Sequence, residues 1–243
     1  PSFHSYSLVA PAGELSPHSR TSLLFGDKPW PIKPEICLEG GNVLLDRQGF
    51  AEPKHPLLSL RSTGIKNDVD LTSANATSAA TAQSARLAAL TMSRYPSYWP
   101  ETVRALLVHE ARWTSPMQER LDACGKKKGG RARLLRRYGW GVPTEEAVLT
   151  SSHRAVTMVV QDEFCPFDET YAMRELRLHS LPWPHDVLQS LGEAGVRLRI
   201  TLSYFIEPSA TRRGWRGKYT YASYGLRFDL KAPTDINVKR FLA

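Results

Sequence analysis

The side chain with the clearest chemical prospects in this chain is a serine. Ser78 lies in TSANATSAATAQSARLAAL, residues 72–90, where small polar residues run straight into an alanine-rich stretch. Thr and Ser supply capping oxygens, and Ala79, Ala80, Ala82, Ala85, Ala88 and Ala89 favour helix, so a helix is expected to open near Thr77. At such a start the unpaired backbone N–H groups and the positive end of the helix dipole point outward, and negative charge developing beside the serine is stabilised. The same position also suits a serine that is only a cap.

Other groups offer less. His109 and Glu110 are adjacent within VRALLVHEARW, and neighbouring helix positions face different directions, so His109 reads as a helix-packing residue. Asn75 and Asn42 read as turn residues, because Asn tolerates turn conformations. Cys37, Cys124 and Cys165 are odd in number, widely spaced and without a CxxC pair, which offers neither a metal site nor a disulfide framework.

The elements that must position Ser78 follow from periodicity. Short strands are expected in the Pro- and Gly-rich first seventy residues, including SYSLVAP and EICLEGGNVLL. In the alanine-rich helix, Leu87 and Leu90 are the large apolar residues, and Ala80 and Ser84 share the side of Leu87, as suits close packing. A second helix is predicted in PSYWPETVRALLVHEARWT, with Pro100 in its first turn and Val103, Leu106, Leu107 and Ala111 as its apolar face. MQERLDAC and VPTEEAVLTSS suggest two more, the latter capped by Thr144. Beyond about residue 153 the pattern turns to strands: VRLRITLSYFIEP alternates apolar and polar residues, and KYTYASYGLRFDLKAP does so again, as in an antiparallel sheet with one solvated face.

With 243 residues and a 42% hydrophobic share, the chain can hold one large domain or two small ones. It has no apolar run approaching the roughly 20 residues of a membrane span, so no membrane partner is expected. The first residue is Pro and the first thirty show no signal pattern, which suggests a processed or excerpted chain. Low cysteine usage permits a cytoplasmic protein. The net charge of +8 raises nucleic acid as a partner, its densest source being GKKKGGRARLLRR, residues 125–137. With Gly125, Gly129 and Gly130, and no aromatic residue before Tyr138, that run reads instead as a mobile, solvated loop, and nucleic-acid binding is not expected.

These landmarks together resemble the C-terminal part of a subtilisin-like serine protease, the subtilase family. The family's nucleophile motif is Gly-Thr-Ser-x-Ala-x-Pro; the matching run is Ala76, Thr77, Ser78, Ala79, Ala80, Thr81 and Ala82, with Ala76 in place of Gly and Ala82 in place of Pro. SPHSRTS, residues 16–22, and KPEICLEGGNVLL, residues 33–45, resemble the Ser-rich turn and Lys-Pro-Asp strand that precede the motif. YPSYWPETVRALLVHEA and YGWGVPTEEAV resemble the helix and the Gly-x-Gly turn that follow it.

The resemblance implies an α/β fold: the C-terminal part of a subtilisin-like three-layer domain over residues 1–152, then a β-rich, antiparallel β-sandwich-like accessory domain over residues 153–243. It implies a serine endopeptidase acting on polypeptide substrates, with Ser78 as nucleophile and no cofactor. A histidine would take the serine's proton and an aspartate would orient that histidine. In the family the order is Asp, His, oxyanion Asn, Ser. The 77 residues before Ser78 hold neither an Asp-Ser/Thr-Gly nor a His-Gly-Thr-His motif; His4, His18, His55, Asp27 and Asp46 sit in other contexts and read as surface or turn residues. The triad Asp and His and the oxyanion Asn are therefore expected on an upstream segment of the same protein. The alternative is a non-catalytic binding or scaffold module that retains the fold. An unrelated serine hydrolase finds no support, since no Gly-x-Ser-x-Gly elbow occurs.

Overall fold

The computed structural model describes residues 6–23, 32–66, 69–125, 127–151, 157–163, 165, 167–170, 172–175, 177–180, 184–195, 197–205, 226 and 228. Among them, two small antiparallel sheets precede a series of helices. Strands β1 (Ser7–Leu8), β2 (Leu44–Leu45) and β3 (Ala51–Glu52) form one sheet in that order. Strands β4 (Leu60–Lys66) and β5 (Val69–Ala74) form a hairpin whose register pairs Leu60 with Ala74 and Thr63 with Leu71, with an irregularity between Thr63 and Lys66. The hairpin ends one residue short of helix α1 (Ala76–Arg94) and so delivers the chain to the serine turn.

Helix α2 (Pro100–Glu110) has Pro100 in its first turn, where the missing N–H costs nothing. Helix α5 (Glu145–Thr150) starts at Thr144, whose hydroxyl accepts the Ala147 N–H at 3.2 Å. Leu87 and Tyr95 from the α1 region, Leu106 and Leu107 of α2 and Val148 of α5 form one buried cluster. On α1 the buried residues Ala79, Leu87 and Thr91 recur at multiples of four, the stripe expected of a helix pressed against neighbours. Both predicted helices flanking the core therefore form as their apolar spacing requires.

The basic run does not form a loop. After α3 (Ser115–Cys124), residues Lys128–Tyr138 form helix α4, correcting the reading of residues 125–137 as a mobile, solvated segment. The reason lies in its partners. A Cβ on Gly130 would lie 2.1 Å from Cys124 Sγ, so this glycine provides room for α3 rather than flexibility. Tyr138 closes α4 with no exposure, and its hydroxyl donates to Glu14 at 2.7 Å. Arg136 and Arg137 lie in the last turn, where cations complement the helix dipole.

After α5 the described residues form helix α6 (His185–Leu191), which the strand-like reading of this region missed. Among the described residues no strand follows Ala74, and the only pairing beyond residue 150 is the isolated Phe167–Met173 bridge. Residues 197–205, the described part of the alternating VRLRITLSYFIEP stretch, lie outside any strand, and most of KYTYASYGLRFDLKAP lies outside the described residues. The segment instead lies against α2. Arg199 donates to Ala111 O at 2.9 Å, and Arg104 donates to Tyr204 O at 3.2 Å. At the other end of α2, Gln161 Oε1 accepts the Trp99 N–H at 2.7 Å and the Thr102 hydroxyl at 2.6 Å. No helix among the described residues is long and apolar enough to cross a membrane.

Candidate active site

Ser78 is exposed in the first turn of α1. Helix geometry leaves the first-turn N–H groups without partners inside the helix. The N-cap position belongs to Asn75, not to Thr77, and Asn75 does not cap: its side-chain amide donates instead to Pro53 O at 2.6 Å. Its Oδ1 is buried without a hydrogen bond among the described residues. Ser78 thus sits beside main-chain donors that no side-chain cap occupies. Negative charge forming there meets both those donors and the helix dipole.

The turn that presents Ser78 is unusual at Ala76. Its φ of 67° is the one positive value outside glycine among the described residues. An alanine there costs about 1–2 kcal/mol relative to an ordinary helical conformation, because its Cβ crowds the following carbonyl. This is the position where the motif otherwise has Gly, which adopts positive φ freely. The conformation is held from outside the helix, by the Ala76 N–H donating to Gly40 O at 2.8 Å.

Segment 33–42 supplies that acceptor, and the Gly-x-Gly turn fixes the segment. Trp140 N donates to Glu35 O at 2.8 Å, and Cys37 N donates to Gly141 O at 2.8 Å. Gly139 and Gly141 have φ of 57° and 107°, and a Cβ on either would come within 2.4 Å of the Glu35 or Arg112 carbonyl oxygen. Arg112 and Val142 exchange backbone hydrogen bonds on the far side of the turn. Three of the sequence landmarks are therefore mechanically joined: the Gly-x-Gly turn straps segment 33–42, whose Gly40 carbonyl holds the turn before Ser78.

Charged groups brace this frame. The Glu35 carboxylate pairs with Arg104 of α2 and with Lys33 at 3.3 Å. Burial pushes the Glu35 carboxyl up, but Arg104 and Lys33 outweigh it and hold the group below the usual carboxylate range. Cys37 is a free thiol whose pKa burial pushes up to about 11, and its Sγ donates to Tyr138 O at 3.3 Å.

The other candidates fall elsewhere. His109 Nδ1 lies 3.0 Å from Thr201 Oγ1, and burial holds its ring below the usual histidine range. Glu110 is buried and accepts the Ser151 hydroxyl at 2.8 Å, so the two adjacent side chains do point apart. His55 caps a short 3-10 turn by accepting the Leu57 N–H at 3.3 Å, and Asp46 accepts the N–H groups of Gln48 and Phe50 at 2.9 and 2.8 Å. Asn42 brackets Ala10, donating to its carbonyl at 2.7 Å and accepting its N–H at 3.2 Å. His18 makes its backbone bond to Ser16 Oγ at 3.2 Å. His4 and Asp27 lie outside the described residues. Sequence reasoning placed Gly40 at the glycine of the segment resembling the Lys-Pro-Asp-x-x-x-x-Gly strand but missed the supports Gly41, Glu39 and Gln83, the last donating from Nε2 to Glu39 O at 2.6 Å. Their one visible signal is the paired glycine of EGGN.

No curated protein and no solved structure is found to match the chain. The model of the subtilase family, the S8 peptidases, does match, over residues 5–141. That span is more than half of the chain and contains the Ser-rich turn, segment 33–42, the Ser78 turn and the Gly-x-Gly turn whose connections are described above. The chain belongs to the subtilase family of serine peptidases.

Proposed function

We propose that Ser78 is the nucleophile of a serine endopeptidase that hydrolyses peptide bonds in polypeptide substrates. The observation that carries this reading is an exposed serine in a helix first turn that no side chain caps. Ser78 Oγ attacks the substrate carbonyl carbon while a histidine accepts its proton, and the carbonyl electron pair moves to oxygen. Main-chain N–H groups at the helix start stabilise that oxyanion, which they do best when they need no reorganisation. Collapse of the tetrahedral species expels the amine, which takes the proton from the histidine, and water then releases the acyl group by the same steps.

The triad Asp and His and the oxyanion Asn belong, in this reading, to an upstream segment of the same protein, following the family's order along the chain. Residues 1–152 form part of the catalytic domain and residues 153–243 a further region, which lies against α2 through Gln161 and residues 199–205. The second reading is a non-catalytic module that retains the fold. The alanine at φ 67°, where the motif otherwise has glycine, favours it.

Labelling with a fluorophosphonate probe separates the two. In the protein extended to its natural start, a single adduct on Ser78 that disappears in Ser78→Ala is expected. Absence of labelling in every form would leave the non-catalytic module.

A further inference from the structure

Ser16 is outside the serine motif, yet it holds the backbone on which the motif rests. Its hydroxyl donates to Gly41 O at 2.5 Å and accepts the His18 N–H at 3.2 Å. Gly40 and Gly41 form the most freely rotating link in segment 33–42, because neither has a Cβ to restrict it. Three contacts remove that freedom. The Gly41 N–H donates to Glu39 Oε1 at 2.7 Å, which fixes the peptide plane whose other end is the Gly40 carbonyl. That carbonyl accepts the Ala76 N–H at 2.8 Å. The Ser16 bond then fixes the next carbonyl, on Gly41, whose φ is 79°.

The space around the two glycines is equally specific. A Cβ on Gly40 would lie 3.5 Å from both Ser16 Oγ and Ala76 O, so Ser16 and the serine turn converge on one face of Gly40. A Cβ on Gly41 would lie 2.7 Å from Asn75 Oδ1 and 2.9 Å from Leu58 O. Gly41 is thus enclosed by the residue that precedes the turn and by the chain leading into the hairpin.

We propose that Ser16 is a positioning residue for Ser78: by fixing Gly41 it keeps the Gly40 carbonyl aimed at Ala76 N–H and holds Ala76 in its left-handed conformation. The direction of Ser78 and of the first-turn N–H groups is set through that bond. This rests on the reading of Ser78 as nucleophile.

The test uses the full-length protein and its Ser16→Ala and Ser16→Thr variants, following fluorophosphonate labelling of Ser78, amide exchange at Ala76 and thermal unfolding. Small misplacements of reacting groups have large rate effects, so Ser16→Ala is expected to slow labelling about tenfold. It should speed Ala76 exchange by about tenfold or more with little change in melting temperature. Ser16→Thr keeps the hydroxyl and should restore labelling to within about twofold. If Ser16→Ala does not fold, Ser16→Cys, with its weaker donor, carries the same expectation. Parental labelling by Ser16→Ala, or no rescue by Ser16→Thr, would overturn the positioning role and leave the nucleophile in place. An unlabelled parent whose Ala76 exchange still responds to Ser16→Ala would overturn the nucleophile reading, and the positioning role with it.

Discussion

The two ends of helix α1 are built on opposite terms. At its start, Asn75 does not cap, Ala76 sits at φ 67° and Ser78 is exposed; the turn is held by a single main-chain bond to Gly40. Toward its end, Leu87 is 4% exposed and packs with Leu106 and Leu107 of α2 and Val148 of α5, and Thr91 is fully buried. Thr91 returns its hydroxyl to Leu87 O at 2.7 Å, and Tyr95, just past the helix, donates to Leu149 O at 2.5 Å and stacks on Tyr98 with ring centroids 4.9 Å apart. One end carries the burial and the other presents the proposed nucleophile. Anchorage at the buried end lets the first turn keep a strained, open geometry that an isolated helix would lose by fraying.

The strongest way to break this contrast is at the buried end. Leu87→Ala removes a large side chain from the cluster shared with α2 and α5 and is expected to cost about 2–5 kcal/mol, read as a fall in the urea midpoint. Ser78→Ala, at an exposed site, should change stability by less than about 0.5 kcal/mol in the same assay. Equal losses from the two substitutions would refute the division between the ends.

Acid tests the supports between them. Glu14 has a side chain 6% exposed, beside Arg120, Arg137 and the Tyr138 hydroxyl. Burial raises its carboxyl, but bonds from Leu15 N–H, Tyr138 and Arg120 prevail and lower it from its usual 4.5; burial pushes Tyr138 up to about 12. A carboxyl lowered in the folded state contributes stability that is fully present above 4.5 and is lost as pH falls through the folded value. Glu14→Gln should therefore cost about 2 kcal/mol at neutral pH and flatten the acid limb of a stability-versus-pH curve. An acid limb unchanged in Glu14→Gln would remove Glu14 from the account. Because Glu14 precedes Ser16 by two residues, this loss should reach the serine turn before it reaches the Leu87 cluster, as amide exchange would show.

The smallest effect sharpens the comparison at the open end. Ala76→Gly relieves the left-handed alanine and should stabilise by about 1 kcal/mol, offset in part by the entropy glycine loses on folding. That corresponds to a rise in melting temperature of about 2–4 °C for a chain of this size. A fall would mean that the Ala76 methyl makes contacts that outweigh its backbone strain.

How much was legible in advance differs by element. The start and buried face of helix α2 were readable, because Pro100 and the spacing of Val103, Leu106 and Leu107 agree on them, whereas Ala111, read as part of that face, lies just past its end as the C-cap. The cap of α5 was equally plain in Thr144. Helix α4 was not, because its lysines, arginines and glycines look solvated until Gly130 is seen against Cys124 and Tyr138 against Glu14. The alternation in residues 196–208 suggested a strand, but Arg199 and Arg104 are used to bond main-chain carbonyls at opposite ends of one contact with α2. Period-two spacing does not distinguish a strand in a sheet from a segment outside any strand that bonds to a helix.

The sequence by itself determined the helix that carries Ser78 and the landmarks on either side of it, because those depend on local propensity and on short, ordered motifs. Only the tertiary structure decided that Asn75 withholds its cap, that Ala76 sits at positive φ with its N–H on Gly40 O, and that Ser16 bonds the Gly41 carbonyl. Those facts arise from hydrogen bonds between residues far apart in the chain, 22 positions for Asn75 with Pro53, 25 for Ser16 with Gly41 and 36 for Gly40 with Ala76, and no local pattern encodes such distances.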